Sequence, residues 1–214
     1  MNHATRSIAA TFGFLIGIGG LDHGFFETLQ GNTPTPGLFV QAIGPANRMW
    51  VYGTEDAFTL IPNFLISGLL VILLSICVMV WSARFVQQKN ALLLLALLFI
   101  PLFLVGGGVA QVALFALTFW VATQVNHPLT WWRRVLPESL RRGLARVWPF
   151  ALGIGVLLFL IALEIAIFGF VPGVKNPDLR EYICWSSLGI GLVFFLIAIV
   201  AGLAHDSDLN FGDK

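Results

Sequence analysis

The longest apolar stretch decides the fold: NALLLLALLFIPLFLVGGGVAQVALFALTFWVATQV, at residues 90–125. As one helix its 36 residues would extend about 54 Å, whereas the hydrocarbon core of a bilayer is only about 30 Å thick. Pro101 lies within it, and three glycines follow at 106–108. Three consecutive glycines favour a turn, because glycine tolerates positive φ and is poor in helix interiors. The stretch is therefore predicted to form two short membrane spans, at about 90–105 and 109–125.

The composition of the chain is that of a helical membrane protein. Of 214 residues, 57% are hydrophobic and 11% are charged, whereas soluble domains carry about 25% charged residues. Four further apolar blocks approach or exceed the roughly 20 residues that cross a bilayer as a helix; they lie at about 7–29, 57–84, 148–171 and 183–204. The sequence thus predicts an all-α polytopic bundle of six transmembrane helices, forming a single integral membrane domain over 1–214.

The distribution of basic residues supports six spans and orients them. Lys and Arg concentrate on the cytoplasmic side of membrane proteins. With six spans and a cytoplasmic N-terminus, nine of the 12 Lys and Arg residues lie inside, and three lie outside. If 90–125 were one span, Lys89 and the arginines of 133–146 would lie on opposite sides of the membrane. We therefore expect a multi-pass protein of the plasma or inner membrane, with both termini in the cytoplasm.

Two of the connecting segments have distinct compositions. PLTWWRRVLPESLRRGLARVW, at 128–148 between the fourth and fifth spans, combines arginines, tryptophans and an apolar face. This pattern is typical of an amphipathic segment in the cytoplasmic membrane interface, where arginines suit anionic headgroups. The external loop, 31–56, contains three prolines and the apolar run LFVQAIG. We expect this loop to fold back as a cap on the outer face.

One face of the first span consists of small residues. Glycines recur at steps of four, three and four, at Gly13, Gly17, Gly20 and Gly24. Such a face lets another helix approach closely. The same rhythm continues to Glu27, and His23 lies about 40° away from Glu27 around the helix. His23 and Glu27 are therefore predicted to edge the packed face, whereas Asp22 is expected to point towards headgroups or water.

Glu164 is the most informative single residue of the sequence. It lies in the span that contains FLIALEIAIFG, roughly 10 Å below the outer boundary. A charged residue at the bilayer centre costs about 2.5–3.5 kcal/mol, so such residues usually face the bundle interior and have a partner. His23 is the basic side chain that we expect at a similar depth. The sequence therefore predicts a contact between Glu164 and His23.

These residues define a candidate binding site beneath the outer surface. His23, Glu27 and Glu164 form its predicted core, with Asn63 and Gln111 as neutral ligands. One histidine with several carboxylates and amides suits a hard or borderline divalent cation, which makes a divalent metal ion a candidate cofactor held by His23, Glu27 and Glu164. The same groups could instead relay protons.

Four other acidic residues, in two segments, are interpreted as solvated. Glu55 and Asp56 lie at the end of the external loop, at the entry of the second span. The segment HDSD at 205–208 resembles a ligand cluster, but it directly follows the last predicted span. A solvated tail is therefore the preferred interpretation of that segment.

The leading functional hypothesis is a small transport-type protein with an outward-facing polar pocket for a cation or proton. The first alternative is a non-catalytic membrane subunit or sensor whose polar cluster is structural. The second is a membrane-embedded enzyme acting on a lipid-like substrate, which ranks third because no nucleophile stands beside a base and no catalytic residue is predicted. The expected partners are the lipid bilayer and a membrane protein or a second copy of the chain. Nucleic acid is not expected, because the sequence has no basic stripe or RNA-binding motif.

Overall fold

The computed structural model describes residues 1–209 as eight helices and one small sheet. The helices are α1 (His3–Leu29), α2 (Phe64–Phe85), α3 (Ala91–Leu104), α4 (Gln111–Gln124), α5 (Thr130–Val135), α6 (Glu138–Leu144), α7 (Trp148–Phe168) and α8 (Pro177–Leu209). The strands are β1 (Phe39–Gln41), β2 (Asp56–Thr59) and β3 (Val105–Gly108), and a single 3-10 turn covers Pro45–Asn47.

Four of the helices in residues 1–209, α1, α2, α7 and α8, are long and apolar enough to cross a membrane. Many apolar side chains on their surfaces are exposed, among them Leu73, Leu157 and Val193. These properties are those of a multi-pass membrane protein in contact with lipid. Helices α3 and α4 are also apolar, but each has 14 residues, which corresponds to about 21 Å of helix.

The sheet is a departure from the predicted all-α fold. Its strands pair antiparallel in the order β1-β2-β3, with Ala57 opposite both Val40 and Gly108. The predicted span at 57–84 consequently begins later, at Phe64, because its first residues belong to β2. Asn63 lies between β2 and α2. Its side chain accepts a hydrogen bond from the Ile66 amide at 3.1 Å, which caps the first turn of α2.

The glycine run at 106–108 ends α3, as expected, but it then forms most of β3 instead of a simple turn. Because β3 pairs with β2, the end of α3 and the start of α4 both lie beside the sheet. The external loop that precedes β2 also returns to the helices. Trp50 Nε1 donates to the Ala166 carbonyl on α7 at 2.9 Å, and the Tyr52 hydroxyl donates to Asp178 on α8 at 2.6 Å. We call this part of the molecule the sheet end.

The predicted small-residue face of α1 packs against α2. A Cβ at Gly24 would lie 2.8 Å from the Gly68 carbonyl oxygen, and one at Gly68 would lie 2.6 Å from that of Gly24. Farther from the sheet, Gly20 faces Ser75 of α2. The glycines thus permit backbone approach, and the prediction that this face packs closely on another helix is confirmed.

At the end of the bundle opposite the sheet, the N-terminus of α1 is fixed by α8. Asp206 is 2% exposed and accepts hydrogen bonds from the Ala4 amide at 3.1 Å, the Thr5 amide at 2.8 Å and the Thr5 hydroxyl at 2.7 Å. A carboxylate at a helix N-terminus satisfies free amides and interacts favourably with the helix dipole. The interpretation of 205–208 as a solvated tail is therefore wrong, because α8 continues through this segment.

The segment between α4 and α7 forms two short helices, α5 and α6. Trp131 and Leu140 are exposed on it. Arg141 is buried and forms an ion pair with Asp208 at the end of α8, whereas Arg142 forms an exposed pair with Glu138. The segment is therefore held to α8 through one of its arginines.

Candidate functional site

Ionisable side chains gather where the last two turns of α1 meet the sheet. Asp22, His23 and Glu27 come from α1, and Glu55 is the residue immediately before β2. We refer to these four residues as the sheet-end cluster. Asp22, His23 and Glu27 lie near one another because they occupy neighbouring positions of one helix. Glu55 is brought beside them by the pairing of β2 with β3.

The closest charged contact of the cluster joins His23 and Glu55. His23 Nε2 lies 2.9 Å from Glu55 Oε2, and both side chains are largely buried. Burial alone would raise the pKa of Glu55, but the adjacent His23 ring and the hydrogen bonding of His23 and Asp22 hold this pKa below its ordinary value. Glu55 is therefore an ionised carboxylate near neutral pH, positioned between two side chains of α1.

The backbone of Glu55 is strained. Its φ is 29°, the only positive φ of a residue other than glycine within residues 1–209. Such conformations cost about 1–3 kcal/mol and persist only where the surroundings hold them, often at functional sites. Here the Glu55 carbonyl accepts a hydrogen bond from the Ala42 amide at 2.8 Å, and its side chain is held by His23.

Glu27 is the most deeply buried member of the cluster. Its exposed fraction is 0%, and neither of its carboxylate oxygens has a hydrogen-bond partner. The hydroxyl of Ser67 on α2 lies beside Gly106, as do both Glu27 oxygens. The Ser67 hydroxyl itself donates to the Val105 carbonyl and lies 3.0 Å from the Thr59 hydroxyl.

The glycines of β3 allow the strand to lie directly on these groups. An added Cβ at Gly106 would lie 2.6 Å from each Glu27 carboxylate oxygen and 2.8 Å from Ser67 Oγ. An added Cβ at Gly108 would overlap the His23 ring. Gly106 also has a φ of 130°, which residues with a side chain rarely adopt. The run is thus required for close approach as well as for ending α3.

The structure places two of the three predicted core residues in the sheet-end cluster. His23 and Glu27 lie in the cluster, but within residues 1–209 no hydrogen bond or ion pair joins Glu164 to His23. The ion-pair partner of His23 is Glu55, because the sheet places this loop carboxylate beside the imidazole. A contact between Glu164 and His23 stays a prediction. Glu164 is half-buried on α7.

The two predicted neutral ligands have different environments. Gln111 is buried, and neither atom of its amide has a hydrogen-bond partner. Its Nε2 lies 3.1 Å from the position of a Cβ at Gly19, one helical turn before His23 on α1. Asn63 instead caps α2 and donates to Asn32 Oδ1 at 2.7 Å. Gln111 thus extends the polar region below the cluster, whereas Asn63 stabilises the connection to α2.

The predicted divalent-metal set is not assembled in the described part of the chain. Within residues 1–209, no group of three or more His, Cys, Asp or Glu side chains is arranged to hold a metal ion. The set His23, Glu27 and Glu164 therefore does not converge there. Sequence reasoning also missed two cluster members, Asp22 and Glu55, which were interpreted as solvated. The position of Asp22 next to His23 in the sequence could have indicated that it belongs to the cluster. The placement of Glu55 depends on strand pairing, which the sequence did not reveal.

A surface pocket of ≈ 730 Å³ opens at the sheet end. Its lining includes Gln30, Asp56 and Val109. Asp56 follows Glu55 in the chain, Val109 follows β3, and Gln30 lies one turn beyond Glu27. The pocket therefore lies next to the backbone segments that carry the cluster.

Comparisons of this chain with protein-family models, with curated proteins and with solved structures found no match.

Proposed function

We propose that this protein is a six-span membrane protein of the transport type that binds a small cation or a proton in the sheet-end cluster. The observation that carries the proposal is Glu27, a fully buried carboxylate whose two oxygens have no hydrogen-bond partner. A buried carboxylate without a partner is costly, by several kcal/mol if it is charged. A bound cation or a proton removes this cost, so the site favours a positively charged occupant.

The arrangement of the helices supports the proposed topology. Helices α3 and α4 are joined by β3 at the sheet end, so we take them as two short antiparallel spans of an up-and-down bundle. Eight of the 11 Lys and Arg residues within 1–209 then lie on the side away from the sheet, which suits the cytoplasm. In this topology both termini are cytoplasmic, the sheet faces outwards, and the protein belongs to a plasma or inner membrane.

Access from the outer side is the next requirement of transport. The sheet-end pocket borders Asp56 and Val109, which directly follow Glu55 and β3 in the chain. Deeper in the bundle, the buried amide of Gln111 and the buried hydroxyl of Ser75 lack hydrogen-bond partners. These groups offer further polar positions along α1.

A second candidate function is a non-catalytic membrane subunit or sensor with a structural cluster. The observation that favours it is the close packing of the site: His23 is 7% exposed, and the glycines of β3 lie directly on His23 and Glu27. A closed cluster that never opens would stabilise the fold without exchanging an ion. The two candidates differ in one measurable property, namely ion flux across a membrane.

Flux through reconstituted protein tests the proposal. Purified protein in liposomes would be given an outward or inward gradient of H⁺, Na⁺ or K⁺, with a trapped pH-sensitive dye and ion-sensitive dyes as readouts. We expect flux of at least one of these ions above that of protein-free liposomes. Glu27→Gln and Glu55→Gln should reduce this flux about tenfold or more, because each removes a carboxylate of the cluster.

Glu138→Gln is the matched control, because Glu138 forms an exposed ion pair on α6, away from the cluster. This variant should retain wild-type flux. Absence of flux for all three ions in well-folded, reconstituted wild-type protein would refute the transport proposal and favour the structural subunit. Equal flux in wild type and Glu27→Gln would refute the assigned site.

A further inference from the structure

We propose that Glu27, Ser67, Thr59 and the Val105 carbonyl form a binding site for one sodium ion. The site lies where α1, α2, β2 and β3 meet. This inference rests on the proposed function and names its cation. Its oxygen donors differ from the residues expected from the sequence, of which only Glu27 is retained.

The oxygens of the proposed site converge on one small region. The position of a Cβ at Gly106 is 2.6 Å from Glu27 Oε1, 2.6 Å from Glu27 Oε2 and 2.8 Å from Ser67 Oγ. The Thr59 hydroxyl lies 3.0 Å from Ser67 Oγ, and the Val105 carbonyl accepts from the same serine. Because residue 106 is a glycine, no side chain lies between its backbone and these oxygens.

The donors retain free coordination capacity. Neither oxygen of Glu27 has a hydrogen-bond partner. The Ser67 hydroxyl donates to Val105, so the hydrogen bond between Ser67 and Thr59 is donated by Thr59. Thr59 Oγ1 also accepts from the Ile61 amide at 3.0 Å. Each hydroxyl oxygen can accept two hydrogen bonds or metal contacts, so one lone pair remains on Ser67 and one on Thr59.

The chemistry of this donor set selects a hard monovalent cation. Carboxylate, hydroxyl and carbonyl oxygens are ligands for hard cations, which bind at about 2.3–2.6 Å when they have the size of Ca²⁺ or Na⁺. The set contains one carboxylate, Glu27, which balances a single positive charge. A divalent ion would leave net charge in a buried site, which is costly. The 3.0 Å separation of the Ser67 and Thr59 hydroxyl oxygens suits the shorter contacts of Na⁺ better than those of the larger K⁺.

Sodium binding is tested by thermal unfolding of the purified full-length protein in detergent. The unfolding temperature would be measured in increasing NaCl, with choline chloride keeping the ionic strength constant, and the series repeated with KCl. A ligand that binds only the folded state stabilises it in proportion to the logarithm of its concentration once the site is filled. We expect wild type to gain about 5 °C when Na⁺ is about 100 times its dissociation constant, and to gain less than half of this at the same concentration of K⁺.

Variants identify the ligands. Glu27→Gln, Ser67→Ala and Thr59→Val should lose the Na⁺-dependent gain, whereas Thr59→Ser should keep it because it retains the hydroxyl. Glu138→Gln, an exposed carboxylate on α6, is the matched control and should behave as wild type. Equilibrium binding of radioactive sodium to monodisperse Ser67→Ala, compared with wild type, supplies a readout that does not depend on unfolding; Ser67→Ala should bind at least tenfold more weakly.

Two results would overturn the sodium site: no difference between NaCl and choline chloride for wild type, or an undiminished Na⁺ effect in Glu27→Gln. Equal stabilisation by K⁺ and Na⁺ would overturn the choice of sodium. If sodium has no effect but Glu27→Gln abolishes proton flux in liposomes, the sodium site is refuted and the proposed function stands. If flux is absent in wild type for every ion tested, the proposed function itself is refuted.

Discussion

Gly106→Ala should be among the most damaging single-methyl changes in the protein. Gly106 has a φ of 130°, where an alanine costs about 1–3 kcal/mol of backbone strain. The new Cβ would also lie 2.6 Å from both oxygens of Glu27 and 2.8 Å from Ser67 Oγ. Overpacking of this kind typically costs about 1–3 kcal/mol. We therefore expect Gly106→Ala to lower the free energy of unfolding by about 2–6 kcal/mol.

Gly153→Ala is the matched control for this prediction. Gly153 lies on the exposed surface of α7 with an ordinary helical φ, and a Cβ there would meet no atom within 4 Å. Alanine in a helix interior is favoured over glycine by about 0.8–1.0 kcal/mol, so this variant should be slightly stabilised. The two substitutions add the same methyl group and should have opposite signs.

Thermal unfolding in one detergent, followed by circular dichroism, provides the comparison. For a chain of this length, 1 kcal/mol corresponds to about 2–4 °C. Gly106→Ala should unfold roughly 5–15 °C below wild type, and Gly153→Ala should unfold about 2 °C above it. If Gly106→Ala unfolds within about 1 °C of wild type, the close contact between β3 and Glu27 is refuted.

Three further predictions concern other contacts. Because the pKa of Glu55 is held below its ordinary value of 4.5, charged Glu55 stabilises the fold fully above that pH, and this stabilisation is lost as the pH falls below it. The unfolding temperature should therefore fall more between about pH 5 and about pH 3 in wild type than in Glu55→Gln; parallel curves would contradict this. Asp206→Ala should lose about 3 kcal/mol, because it removes three hydrogen bonds at the start of α1, whereas Asp206→Asn should lose less. Gly108→Ala should be destabilising because its Cβ overlaps the His23 ring, and adding His23→Ala should recover part of the loss in a double-mutant cycle; strictly additive losses would exclude the contact.

Local sequence signals predicted the helices well. The apolar blocks gave α1, α7 and α8 within several residues of their observed limits, and the three glycines correctly divided 90–125 into two helices. The glycine spacing in α1 also predicted its contact face, because side chains three or four residues apart lie on one side of a helix. These features depend on periodicity within one element, which a single sequence contains.

The sheet could not be predicted in the same way. Its strands have three or four residues, too few for a clear alternation of apolar and polar residues. They pair Val40, Ala57 and Gly108, which are distant in the chain. The position of Glu55 follows from this pairing, so its ion pair with His23 was inaccessible to local reasoning. The expected Glu164–His23 contact was inferred from depth in the membrane, which does not specify the direction of a side chain around the bundle axis.

The sheet also explains why binding and folding should be linked at this site. The pairing of β2 with β3 places Thr59 opposite Val105 and Ala57 opposite Gly108. The same register holds Thr59 beside Ser67 and sets Gly106 against Glu27. A cation bound among these oxygens would contact both strands and both helices, and would therefore bind the docked sheet more tightly than any state in which β3 has moved away. By thermodynamic linkage such a cation must stabilise the docked sheet, and movement of the sheet must release the cation.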